Sequence, residues 1–298
     1  MANRGAIVDV KHINAMGKMV CINHGSWSAC IDSHGAHVLG LFFKEKNLLH
    51  YNVSDIEHSG IPICFPNFGP LDNDTFYYKG TEFEISQHGF FRDYEFQLMS
   101  NNASSVTYQL NSNSDTRQRF PFDFCFNITF SLNDSGLTMT FSLLDQSASF
   151  IPLAPGIHPY YAVADGEEVI FETRARDGND NKLQYAKVPL SESLEVLFES
   201  SSGVQSVRVV GNPDLHLDEH GLDATQLTIG SNPPLIITAD INSFNRMTVW
   251  RKEPDSAFIC LEPAFVKNGL NCHPISIPTG KAWDTVFKIE RSGQHNSR

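Results

Sequence analysis

FDFCFNITFSLNDSGLTMTFSL, residues 122–143, decides the architecture. Phe122, Phe124, Phe126, Ile128, Phe130 and Leu132 recur at every second position, with Asp123, Asn127, Thr129 and Ser131 between them. Cys125 is the one weakly polar residue on that second face. A period of two puts alternate side chains on opposite faces of an extended strand. Asn133-Asp134-Ser135-Gly136 then turns the chain, and Leu137, Met139, Phe141 and Leu143 resume the alternation. Two such runs joined by a short Asn/Asp/Gly loop predict a β-hairpin with one buried face.

Shorter runs of the same kind lie on either side: HVLGLFF, SVTYQL, EVIFETRA, SVRVVG, PLIITADI, MTVWR, AFICLE and TVFKIE, separated by Pro, Gly, Asn and Asp clusters. Only PLSESLEVLFE has an ambiguous period, and no long amphipathic helix stands out. Many strands with turn signals between them predict an all-β fold, a large antiparallel β-sandwich. All-β chains run to about 250 residues as one domain. No linker or internal repeat divides this chain, so residues 1–298 are expected to form a single domain, with a disordered tail from about 292.

The chain holds 22 Phe, enough for a large core, and its 22 basic against 34 acidic residues give a net charge of −12. With no Lys/Arg block it lacks the electrostatic footprint of a nucleic-acid binder. No apolar run approaches the roughly 18 residues of a membrane span. The N-terminal MANRGAIVDVKHIN has no apolar segment of signal-peptide length. Cys21, Cys30, Cys64, Cys125, Cys260 and Cys272 are scattered without a CxxC pair and read as reduced thiols, which points to the cytoplasm. N-x-S/T motifs at Asn52, Asn73, Asn102, Asn127 and Asn133 fit an Asn/Ser-rich composition. The histidine pairs His34/His37 and His216/His220 lack the order and helical stripe of a zinc motif, so no metal site is expected.

Four stretches carry possible chemistry. HSGIPICFPNFGP, residues 58–70, has three prolines around an apolar pair and reads as a shaped loop rather than a strand or helix. In QHGFFRD, residues 87–93, an extended backbone would put His88, Phe90 and Arg92 on one face: two polar donors and an aromatic plane for an oxygen-rich ligand. In SFIPLAPGIHPYYAVAD, residues 149–165, three prolines stiffen the backbone around His158, which suits a proton donor held in place and also a simple corner at a strand end. In AFICLEPAF, residues 257–265, Glu262 closes an apolar run. A carboxylate buried there must be paired or raised in pKa, and a raised carboxylate in a cleft is a candidate general base. A sandwich can bring His88, His158 and Glu262 to one sheet face, an inventory suited to a neutral polyol.

GIPICFPNFG, HGFFRD, PGIHPYY and CLEPAF, in that order over roughly residues 25–290, resemble the aldose 1-epimerase (galactose mutarotase-like) superfamily, and within it the glucose-6-phosphate 1-epimerase-like branch. The resemblance implies a galactose mutarotase-like supersandwich that interconverts the α and β anomers of an aldohexose or hexose 6-phosphate. It assigns His158 as the general acid at the ring oxygen, Glu262 as the base on the anomeric hydroxyl and His88 as a sugar-orienting residue. It implies no metal or organic cofactor, and a small hexose or hexose phosphate as partner rather than nucleic acid or membrane. Oligomeric state is left open. Arg92 matches the family pattern. His58 stands where the sugar-phosphate branch carries the arginine of Arg-Gly-Gly-Ile-Pro, and Asn67 where a larger Gln or Trp is usual; both are expected to face the sugar. A sugar-binding protein without turnover is the alternative on the same fold, and a lyase or glycosidase accessory domain a more distant one. A glycosidase needs two carboxylates, and only Glu262 is apparent.

Overall fold

The computed structural model describes residues 19–292; the first eighteen residues and the tail beyond 292 lie outside the described residues. The 122–143 stretch forms the hairpin expected of it. Phe124–Leu132 pairs antiparallel with Gly136–Asp145, with Phe126 opposite Leu143 and Leu132 opposite Leu137. Burial along the first strand alternates without a break, and Phe124, Phe126, Ile128 and Phe130 are wholly inaccessible. In the turn, Asn133 Oδ1 accepts from the N–H groups of Ser135 and Gly136.

This hairpin belongs to a ten-stranded antiparallel sheet that runs from Glu195–Glu199 at one edge to Gln97–Asn101 at the other. An eight-stranded sheet holds Asp214–Leu217, Arg246–Trp250 and Phe258–Ala264 side by side, then Gly156–Ile157 and Ile63–Cys64, with Tyr160–Ala162 also pairing with Phe258–Ala264. A single hydrophobic cluster takes Phe126, Phe141 and Phe287 from the larger sheet and Leu215, Val249, Ile259 and Leu261 from the smaller. The fold is thus an all-β sandwich. Phe65, from the loop between the sheets' strands, sits at its middle, with its ring 5.1 Å from Phe126 and 5.8 Å from both Phe91 and Phe141. Among the described residues no α-helix exceeds four residues, and no helix is long and apolar enough to cross a membrane.

Two expectations need correction, and one ambiguous segment is resolved. Cys21 and Cys30 are not reduced thiols: they face each other across the pair Met19–His24 and Trp27–Asp32 and form a disulfide, with Cα atoms 4.2 Å apart. Direct cross-strand opposition brings the two Cβ atoms close, a placement hidden in a spacing of nine residues. Disulfides persist mainly in oxidising compartments, so the cytoplasmic expectation loses these thiols as support. The 58–70 loop does contain strand, since Ile63–Cys64 pairs with Gly156–Ile157. PLSESLEVLFE read ambiguously because it is two things: a helical turn, Leu190–Ser193, and an edge strand, Glu195–Glu199, exposed along its whole length.

Candidate active site

The site lies on the outer face of the eight-stranded sheet, and period two explains how. In Arg246–Trp250, Met247 and Val249 join the core, which sends Arg246, Thr248 and Trp250 to the other face. In Asp214–Leu217 the leucines face the core and Asp214 and His216 face outward. Phe258–Ala264 is buried at every position; Ile259 and Leu261 join the core, so Cys260 and Glu262 point outward. Register then stacks these residues in rows: Trp250 beside Asp214 and Cys260, Thr248 beside His216 and Glu262, and Arg246 at the level of Ala264. Loops close over this face to leave a cavity of about 250 Å³.

Glu262 is 1% exposed, in mid-strand rather than at a solvated end. His158, between Gly156–Ile157 and Tyr160–Ala162, donates its backbone N–H to the Pro62 carbonyl. Its ring stacks on Tyr160 at 4.6 Å and meets His88 edge-on at 5.3 Å. His158 Nε2 lies 3.5 Å from Glu262 Oε2, while His158 Nδ1 and Glu262 Oε1 are buried without a protein partner. Burial pushes His158 well below its ordinary pKa, helped by His88, and pushes Glu262 well above its own, helped by Asp214. At this separation the two titrate as a pair. Burial penalises both the doubly protonated and the fully deprotonated state, so the pair holds one proton over a wide pH range.

His88 reaches the cavity by a hooked backbone. His88 and Gly89 have φ of +67° and +71°, the left-handed region that glycine adopts freely. The Gly69 N–H donates to His88 Nδ1, and the Gln87 side-chain amide lies 3.2 Å from His88 Nε2. Burial and then Arg92 lower its pKa to about 3, so His88 is a neutral hydrogen-bonding group. The hook also corrects the shared-face expectation for 87–93. The chain bends at His88 and makes a 3₁₀ turn over Phe91–Asp93, so Phe90 turns inward, fully buried against Phe91, Tyr94 and Phe120. Phe90 does not line the cavity.

Nor does Asn67, which is fully buried and braces its own loop by donating Nδ2 to the Gly69 carbonyl. The residue that faces the cavity there is its neighbour Phe68, packed beside His88 and His158. His58 and Arg92 do line the cavity. His58 stacks on Trp250 at 5.9 Å and its Nδ1 bonds Asp55 at 2.7 Å. Arg92 donates to the Gln87 carbonyl and pairs with Glu57 at 3.8 Å.

The sequence reading missed His216, Arg246, Lys267 and Tyr185, all of which line the cavity. His216 bonds Thr248 Oγ1 through Nδ1, and burial next to Arg246 lowers its pKa to about 3. The alternation of DLHL and RMTVW held the signal for His216 and Arg246; Lys267 and Tyr185 are in loops, where no period applies. For a metal, the described residues offer one cluster, His158, Cys260 and Glu262, whose donor atoms lie within 4.8 Å of one another. Burial drives the Cys260 thiol pKa well up, which keeps it protonated and a poor ligand.

Solved structures with this architecture include the Slr1438 protein from Synechocystis sp. PCC 6803, with a TM-score of 0.80, 18% identity and coverage of 91% of this chain and 94% of that one. A galactose mutarotase-like protein from Lactobacillus casei ATCC 334 matches with a TM-score of 0.74 and 20% identity over 91% of this chain and 99% of that one. The fold is that of the galactose mutarotase-like sandwiches. The aldose 1-epimerase family model matches residues 18–223, and the chain belongs to that family. Among curated relatives, the plasmid-encoded protein LacX of Lactococcus lactis subsp. lactis is 23% identical over 219 residues, 68% of this chain and 72% of that protein.

Proposed function

We propose that this protein is a mutarotase acting on an aldohexose or its 6-phosphate, with residues 1–298 working as one sandwich domain. Family and fold support mutarotase-like activity. The observation that carries the mechanism is the buried His158–Glu262 pair, 3.5 Å apart on the cavity floor. At 3.5 Å there is no room for a sugar ring between them. The chemistry requires none, because the anomeric hydroxyl and the ring oxygen are bonded to the same carbon. An acid and a base that act on them must converge, with the sugar lying above both.

The shifts favour the proton on Glu262 at rest, so ring opening starts from the other tautomer of the pair: His158, carrying the proton, gives it from Nε2 to the ring oxygen as the bond from that oxygen to the anomeric carbon breaks. Glu262 takes the proton of the anomeric hydroxyl as the carbonyl forms. The pair passes from imidazolium–carboxylate to imidazole–carboxylic acid with one proton throughout. Rotation about the bond next to the carbonyl and reclosure on its other face return the proton and deliver the other anomer. His88 orients the sugar from the side. A positioned acid and base each contribute about 10²–10⁴-fold in such steps.

The test is polarimetry on freshly dissolved α-glucose, α-galactose and α-glucose 6-phosphate. Catalysed anomerisation of at least one is expected, with His158→Asn slower by about 10² or more. Tight sugar binding without any catalysis would replace this reading by the sugar-binding alternative. The pH profile is a second check. Burial resists a second proton on the pair, so the acid limb should fall below the ordinary histidine value of 6.5. It equally resists loss of the last proton, so the alkaline limb should fall well above the ordinary carboxylate value of 4.5. An acid limb at 6.5, or an alkaline limb at 4.5, would remove the paired site from consideration.

A further inference from the structure

The two ends of the cavity differ in how their charges are balanced. At the Trp250 end, Arg92 faces Glu57 and His58 bonds Asp55. At the Arg246 end the balance is incomplete. Arg246 is 4% exposed; its Nε bonds Asp218 at 2.6 Å and its Nη2 bonds the Tyr185 hydroxyl. Its third nitrogen, Nη1, has no protein partner among the described residues, on a side chain that lines the cavity. Lys267 lies over the Tyr185 ring at 4.4 Å, with no carboxylate within 4.0 Å among the described residues. Asp218 balances the Arg246 charge, but one guanidinium nitrogen and the Lys267 ammonium, on two side chains that line one cavity, are left to offer charge-assisted hydrogen bonds to an anionic group.

Strand register fixes where that anion would be. Thr248 is directly opposite Glu262, and Arg246 is two residues further along the same face. At 3.3–3.4 Å per residue the offset is about 7 Å. A pyranose whose anomeric carbon sits over Glu262 and His158 has its exocyclic carbon on the ring atom beside the ring oxygen, and a group carried there spans that distance. We propose that Arg246, Lys267 and Tyr185 form a subsite for an anionic group, phosphate or carboxylate, on the exocyclic carbon of the sugar. The subsite rests on the sugar-binding orientation proposed above, and it puts the anion at the end of the cavity opposite Arg92 and His58.

The probes for the test lack the anomeric hydroxyl and so cannot anomerise: 1-deoxyglucose, its 6-phosphate, and the corresponding 6-carboxylate. Calorimetric titration at low salt should show an anionic probe binding at least about tenfold more tightly than the neutral one, the scale of one charge-assisted hydrogen bond. The phosphate and carboxylate arms tell the two anions apart. Lys267→Met should cut the anionic-to-neutral affinity ratio about tenfold, Lys267→Arg should keep most of it, and Arg92→Met should change it less than Lys267→Met does. Equal affinity for neutral and anionic probes would overturn the proposal, and so would a ratio lost in Arg92→Met but kept in Lys267→Met. Because binding is read without turnover, an absence of mutarotation would count against the proposed activity and leave the subsite standing or falling on these affinities.

Discussion

Phe124–Leu132 and Phe258–Ala264 are both interior strands of their sheets, yet their burial differs. The first alternates between inaccessible and half-exposed residues, and the second is buried at all seven positions. In the first, the polar face meets water, and Thr107 and Thr129 bond each other there at 2.9 Å. In the second, the face away from the core is roofed by loops that carry Phe68, His88 and His158. A polar residue on a wet face costs nothing to keep. Glu262 on a roofed face is costly to keep charged, so its presence is explained by chemistry rather than by stability.

That contrast can be broken most directly at Glu262. Glu262→Gln should lower the anomerisation rate by about 10²–10⁴ while the melting temperature holds or rises, since it removes a buried ionisable group. A large drop in melting temperature would mean that the carboxylate is structural. Phe126→Ala, on the core face of the alternating strand, should do the reverse. It should cost about 3–5 kcal/mol of stability, measured by denaturant unfolding, with little effect on the rate of the protein that remains folded. The smallest effect belongs to the wet face: Thr129→Val should change stability by less than about 1 kcal/mol and leave anomerisation as it was. A greater loss would show that this face is covered by something.

The same contrast explains what could be read from the sequence. The hairpin was legible because one wet face gives a clean period of two. Glu262 was legible because a carboxylate interrupts an apolar run, and the run is apolar because that strand is buried on both faces. Phe90 was misplaced because face assignment assumes an extended backbone, and the positive φ of His88 breaks that assumption two residues earlier. Asn67 was misplaced by one position: motif order located the loop, but its hydrogen bond to Gly69 turns Asn67 inward and leaves Phe68 to face the cavity. Lys267 and Tyr185 had no signal, since loop residues converge on a site only through the tertiary fold. The disulfide was hidden because it depends on strand register, which spacing alone does not give.

The Phe65 carbonyl has a consequence for how the site can move. It accepts the N–H groups of Phe90 and Phe91 at 2.9 and 3.2 Å, and a Cβ on Gly89 would lie 2.0 Å from it. The loop that presents Phe68 and the loop that presents His88 and Arg92 are therefore pinned together next to a fully buried ring, and again where the His88 N–H donates to the Gly69 carbonyl. In kinematic terms the two loops are one body rather than two. The cavity wall can tilt as a unit, but His88 cannot swing toward or away from Phe68 by itself, so whatever admits the sugar must be hinged elsewhere.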